Sequence, residues 1–95
     1  MPDYDRFLRD CLAGTLSCMV VDSWEEGIQR LMDGLGHPEA LNLFRHNFSS
    51  MMRDQTRTFT QKCSLFLDDD VSTEEEARAR FEDIWRRVFD EEWRW

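Results

Sequence analysis

Lysine is nearly missing from this chain. Of its twelve basic residues only Lys62 is a lysine and the rest are arginine, set against twenty acids for a formal charge of −8. So acidic a balance excludes the basic footprint that direct nucleic-acid binding needs in order to release counterions. It also argues against membrane anchoring through an amphipathic helix, because the polar faces are acidic. The preference for arginine fits a GC-rich genome, and it equally suits an interface, where the planar guanidinium pairs bidentately. No apolar run approaches the roughly 20 residues of a membrane span. The opening stretch MPDYDRFLRD carries charges where a secretory leader would need an apolar core. Cysteine is sparse and odd in number, with Cys11, Cys18 and Cys63 at no repeated spacing. That pattern reads as free thiols in a reducing compartment, cytoplasmic or nuclear, and not as the disulfide framework of a secreted domain.

Catalytic chemistry is just as thinly supplied. The two histidines, His37 and His46, have no Cys or acid at metal-ligand spacing. His37 reads as a helix-start residue and His46 as a surface residue. No Ser or Cys lies in a nucleophile turn, and no glycine-rich phosphate loop is present. The run Asp68–Asp70 lacks the spacing of a calcium loop. The expectation is a chain that is not an enzyme and that needs no cofactor or metal. Ser23, Ser72 and Thr73 each precede an acid at the third position, a loose acid-directed kinase pattern that helix capping explains more simply.

What is present is apolar and aromatic periodicity. In 95 residues there are four Trp and seven Phe, many large rings for the interior of one small domain. The spacing predicts a single all-α domain over 1–95, a bundle of three to four helices with a long third helix. The first segment, about 3–20, carries Tyr4, Phe7, Leu8, Cys11, Leu12, Thr15 and Met19 on one face, with TLSCMVV as an alternative short strand. The second opens with a capping box at Ser23 and Glu26 and carries Trp24, Ile28, Leu31 and Leu35. Gly34 and Gly36 are expected to end it in a left-handed turn. The third begins at Pro38 and keeps Leu41, Phe44, Phe48, Met51, Met52, Phe59, Cys63 and Phe66 in line as far as Leu67. Unbroken, it would be about 45 Å long, and either Ser49–Ser50 or the TRTFT stretch offers a place to break. Met51 and Met52, with Phe48 and Phe59, fit ordinary core packing or an adaptable groove. The fourth segment starts from a cap at Ser72 or Thr73 and packs antiparallel to the third.

The ending, RRVFDEEWRW, puts two tryptophans in the last three residues of an acidic protein. If the fourth helix continues, Trp95 aligns with Ala77, Trp93 sits on the flank near Phe89, and Glu92 falls within the apolar stripe. A carboxylate there resists deep burial, so the core is expected to end near Phe89. The terminal rings then have two readings: a cover over the chain's own core, or anchors for another chain. Trp and Arg are the residues of binding hot spots, which nominates Trp85, Phe89, Trp93, Arg94 and Trp95 as a partner-binding set. Net charge is −4 over 1–36, +2 over 37–67 and −6 over 68–95, so a mildly basic helix lies between two acidic segments. The functional expectation is a small interaction protein that occupies a partner protein's surface as an inhibitor, adaptor or assembly factor, with a homodimer as a further form. The alternative is an acidic decoy that imitates nucleic-acid phosphates and blocks a nucleic-acid-binding protein.

Overall fold

The computed structural model describes residues 4–16 and 23–94, and these form an all-α bundle. Five helices follow in order: α1 over residues 4–16, α2 Trp24–Gly34, α3 Pro38–Arg53, α4 over residues 59–67 and α5 Glu74–Phe89. Two of them contain a wider π-turn, Arg9–Ala13 in α1 and Cys63–Leu67 in α4. Among the described residues no helix is long and apolar enough to cross a membrane. Met19 and the end of TLSCMVV lie outside the described residues, and the earlier part of that stretch, Thr15–Leu16, is helical.

The helix starts follow local chemistry. The Ser23 hydroxyl accepts from the Glu26 N–H at 3.1 Å, while the Glu26 carboxylate pairs with Arg30 at 3.2 Å. His37 Nδ1 accepts from the Glu39 N–H at 3.3 Å, with Pro38 in the first turn where its missing N–H costs nothing. Thr73, not Ser72, caps α5 by accepting from the Glu76 N–H at 3.2 Å, and three glutamates fill the first turn. The ends differ from expectation. No described glycine has a positive φ, and α2 closes at Leu35 with φ −101°. The left-handed residues are Asp68 (φ 51°) and Asp90 (φ 54°), which end α4 and α5. Aspartate tolerates that conformation because its short side chain bonds locally.

The third segment is two helices. The whole molecule measures 32 × 28 × 26 Å, too short for a straight helix of about 45 Å. The break falls at 54–58. Asp54 takes an extended conformation, and its Oδ1 accepts from both the N–H and the hydroxyl of Thr56, at 2.9 and 2.6 Å. Such a local side-chain turn competes directly with helix propagation. Thr58 and Gln61 then form a complete capping box that starts α4.

Three clasps hold the folded-back segment. Lys62 is almost fully buried and donates to the Asp54 carbonyl at 2.8 Å, at the C-terminal end of α3 where a cation is favoured. The Glu74 carboxylate, from the start of α5, accepts the Phe59 and Thr60 N–H groups at 2.8 and 2.9 Å and so caps α4. Arg57 is gripped by both oxygens of Asp5 in α1, at 2.9 and 2.7 Å.

The core is continuous and ring-rich. Phe44, Phe48, Phe66 and Phe81 are fully buried, as are Leu8, Leu12 and Ile84, and Met51 and Met52 lie in the core with them. The two methionines are therefore packing residues, and Met52 also borders a surface hollow of about 610 Å³ with Phe59 and Lys62. Phe44 meets Phe89, while Phe48 meets Phe81 and Trp85, so α3 and α5 run antiparallel. Phe59 also meets Phe81, and Cys63 lies against Ala77, so α4 runs antiparallel to α5 as well.

The backbones of α1 and α2 approach closely at Gly27. A Cβ on Gly27 would stand 2.6 Å from Leu16 Cδ2 and 2.7 Å from the Thr15 carbonyl oxygen. Gly34, with no atom within 4 Å of its own Cβ position, is the matched control. Gly27→Ala is expected to lose about 1–3 kcal/mol by overpacking, although alanine is the better helix former. Gly34→Ala is expected to hold or gain up to about 1 kcal/mol. Chemical denaturation of the pair measures both.

Candidate functional site: the C-terminal aromatic shelf

The left-handed turn at Asp90 stops α5 one residue after Phe89. Trp93 therefore does not continue down the helix flank. The chain doubles back, and the Trp93 ring packs edge-on against Trp85, with centroids 4.8 Å apart and planes at 84°. Trp85 in turn lies 4.4 Å from Phe89 and 6.0 Å from Phe48. A ladder of rings thus climbs from the buried Phe48, through the nearly buried Trp85, to the half-buried Phe89 and Trp93. Glu92, freed from the apolar stripe by the turn, is exposed, and so is Arg94.

Two arginines of α3 lie on this ladder. Arg45 stacks over Trp85 and Phe89, with its guanidinium carbon 5.1 and 4.9 Å from the two centroids, and it pairs with Glu91. Arg53 stacks over Trp93 at 4.8 Å and donates a long hydrogen bond of 3.4 Å to the Arg94 carbonyl. Cation–π contacts of this kind contribute about 0.5–1 kcal/mol when exposed. The result is a shelf with a shallow hollow on each side of Trp93. One, of about 270 Å³, lies toward Arg45, Ser49, Arg53 and Arg94. The other, of about 320 Å³, lies toward Glu82, Asp83 and Arg86.

Of the five nominated residues, Trp85, Phe89 and Trp93 are brought together, and Arg94 borders the hollow beside them. Trp95 lies outside the described residues. Arg45 and Arg53 belong to the shelf and were missed by sequence reading. They sit eight residues apart on α3, so they share a face, but nothing in the sequence says that α5 presents its rings to that face.

Charge around the shelf is organised by Asp83. It accepts from the Trp24 indole at 2.8 Å and pairs with Arg86 and Arg87, while Arg87 also reaches Glu25. Burial alone would raise the Asp83 pKa, but the Trp24 hydrogen bond together with the two guanidiniums holds it below the usual carboxylate value. Glu74 is also held low, chiefly by the Phe59 and Thr60 N–H groups. Burial lowers the Lys62 pKa, reinforced by Arg57 and opposed by Asp54 and Glu74.

The two described thiols, Cys11 and Cys63, are disfavoured as thiolates. Burial pushes Cys63 up to about 12, and its Sγ lies 3.8 Å from the Ala77 carbonyl. Burial and then Asp10 raise Cys11. Among the described residues no three His, Cys, Asp or Glu side chains are grouped to hold a metal ion. Comparison with known protein families, characterised proteins and solved structures finds no match for this chain.

Two outcomes follow from these environments. Asp83 and Glu74 have depressed folded-state pKa values, so their stabilisation is present above the unfolded carboxylate range near pH 4 and is lost as pH falls through the folded values. Denaturation midpoints between about pH 2 and 6 are expected to drop steeply below about pH 4, and Asp83→Asn is expected to flatten that drop. With a thiol-reactive dye at pH 8, Cys63 is expected to stay unlabelled in the native protein and to react fully in denaturant.

Proposed function

We propose that this chain is a small protein–protein interaction module that acts by occupying a partner's surface, with the C-terminal shelf as its contact. One observation carries the reading. Arg30, Arg45, Arg57, Arg78, Arg80, Arg86 and Arg87 all pair with carboxylates of their own chain. Arg53 and Arg94, the two arginines beside Trp93, have no carboxylate partner among the described residues. In a chain with twenty acids, it is unusual for a guanidinium to stack on a tryptophan and donate only a long hydrogen bond to a carbonyl, with no carboxylate among the described residues. It matches the Trp-plus-Arg composition of hot spots, and a stacked guanidinium is pre-oriented for bidentate pairing.

On this reading Trp85 and Phe89 support the contact from beneath, while Trp93, Arg94 and Trp95 make it. The partner is another protein of unspecified identity, and a second copy of the chain is the simplest variant. The function is one of binding, without catalysis, cofactor, nucleic acid or membrane. The acidic-decoy alternative has less support, because eight of the twenty acids, Asp5, Glu25, Glu26, Asp69, Glu76, Glu82, Asp83 and Glu91, are engaged by arginines of the same chain.

The test is recovery of a partner by the tagged chain from nuclease-treated native extract at physiological salt. Trp93→Ala with Trp95→Ala is expected to keep the helical signal and to reduce recovery by tenfold or more, in line with hot-spot losses of about 2 kcal/mol. Arg53→Glu with Arg94→Glu, which removes no ring, is expected to do the same. Unfolding of the first variant, together with undiminished recovery by the second, would make the rings a cover for the core and nothing more. Recovery that collapses steeply with added salt would favour the decoy.

A further inference from the structure

The same accounting of arginines leads to a second place in the molecule. Besides Arg53 and Arg94, only Arg6 and Arg9 lack a carboxylate partner among the described residues. Both are on α1, both are exposed, and both line one trough. The trough measures about 940 Å³, several times either hollow beside Trp93. Its floor is Ala13, Gly14 and Leu65, and its far wall is Arg57, already neutralised by Asp5.

The walls are irregular in a telling way. Arg9, Asp10 and Ala13 belong to the π-turn of α1, and Leu65 belongs to the π-turn of α4. The two π-turns of this fold border one trough, and wide turns of this kind recur at functional sites. The floor is also kept low. A Cβ on Gly14 would meet nothing within 4 Å, although its backbone is ordinary right-handed helix (φ −73°) and would accept any side chain. Glycine costs helix stability at such a position, and among the described residues neither a turn nor a close approach requires it. What it leaves is room for another chain to approach the α1 backbone.

We propose that this trough is a docking groove for an acidic, helical peptide segment of a partner protein. Arg6 and Arg9 stand about one helical turn apart, which is also the spacing of side chains at i,i+3 or i,i+4 on a facing helix. Two carboxylates of the incoming helix pair with the two guanidiniums, and an aliphatic residue between them rests on Ala13, Gly14 and Leu65. Among the described residues that line the trough, three arginines face two aspartates, a net of one positive charge. The groove is therefore locally cationic within a chain of net charge −8, which selects acidic over basic segments. The open, trough-like shape suits a peptide and not an enclosed small molecule. The proposal is independent of the C-terminal shelf.

The experiment is a random-peptide display selection against the folded full chain, followed by anisotropy titration of the synthesised hits. Hits are expected to carry Asp or Glu three or four residues apart around Leu, Ile or Met. Arg6→Glu with Arg9→Glu, which breaks no ion pair among the described residues, is expected to weaken them at least tenfold with an unchanged unfolding midpoint. Gly14→Leu is expected to block the floor and weaken them comparably, with equal or greater helical signal. Arg53→Glu with Arg94→Glu is expected to leave these peptides bound. No recovered peptide, hits without acidic enrichment, or hits indifferent to both groove variants would overturn the proposal. Hits lost only with Arg53→Glu and Arg94→Glu would overturn it while leaving the shelf in place. Sedimentation showing a dimer that Arg6→Glu with Arg9→Glu abolishes would make the occupant a second copy and would likewise overturn it as stated.

Discussion

The packing of rings between α3 and α5 is the contact on which the rest of this molecule depends. Phe44 and Phe48 on one helix meet Phe81, Trp85 and Phe89 on the other at centroid separations near 6 Å, within the range where aromatic pairs contribute about 0.5–1.5 kcal/mol beyond their burial. A domain this small buries a modest share of its surface, and a few large rings bury much area per ordered residue. That choice has a consequence at the surface. Rings stacked in sequence do not end abruptly, so the ladder leaves the core half-buried at Phe89 and Trp93. Arginines cover what the core cannot, since a guanidinium screens a ring face from water while keeping its own edge hydrated. The shelf is therefore the outer end of the core, and its possible use by a partner and its role as a cover are not exclusive.

The ring seam needs α4 and α5 to sit beside α3, and this is secured by polar contacts at the break. Lys62, Glu74 and the Asp5–Arg57 pair all converge on residues 54–60. Each satisfies a helix end or a turn: Lys62 a carbonyl at the close of α3, Glu74 two N–H groups at the start of α4, Arg57 the neighbouring α1. A near-buried lysine is costly to desolvate, yet its ammonium is paired with a carbonyl and lies 4.3 Å from the Phe59 centroid. The one lysine in the chain serves a structural position that an arginine's wider head could not enter as easily, which sets it apart from the arginines on the surface.

Much of the fold was legible because it depends on periodicity and caps. The starts at Ser23, Pro38 and Thr73 are local chemistry, and so is the core stripe of each helix. What failed was local chemistry read as something else. The break at 54–58 was legible in part, since TRTFT was one of the two places expected for it, but the Thr58–Gln61 capping box went unread because it sits inside an apolar stripe that runs on in register from Phe48 through Phe59 to Phe66. Gly34 and Gly36 resembled left-handed stops, whereas the left-handed residues are Asp68 and Asp90, each in a run of acids where a single residue's conformation leaves no compositional trace. The reversal at Asp90 decides where Trp93 goes. Arg45 and Arg53 on the shelf were illegible for a different reason. Their neighbours come from a helix some forty residues away, and no pattern within α3 encodes which of its arginines will meet a ring.

Pairing, and not charge count, is what separates structural from available arginines in this chain. An acid-rich protein offers every guanidinium an internal carboxylate, and most of the arginines take one within a turn or across a helix interface. Those that do not are not scattered. Arg53 and Arg94 flank Trp93, and Arg6 and Arg9 flank the floor at Gly14. An exposed ion pair contributes little to stability, about 0–1 kcal/mol, so the absence of a carboxylate partner for these four among the described residues costs the fold almost nothing. The same four groups against a partner's carboxylates, with water excluded by the adjoining ring or apolar floor, would interact more strongly than they do in solvent. The asymmetry is physical: the positions where internal pairing is weakest in value are those where external pairing has the most to add, and in both cases they adjoin an apolar surface that a partner would dehydrate.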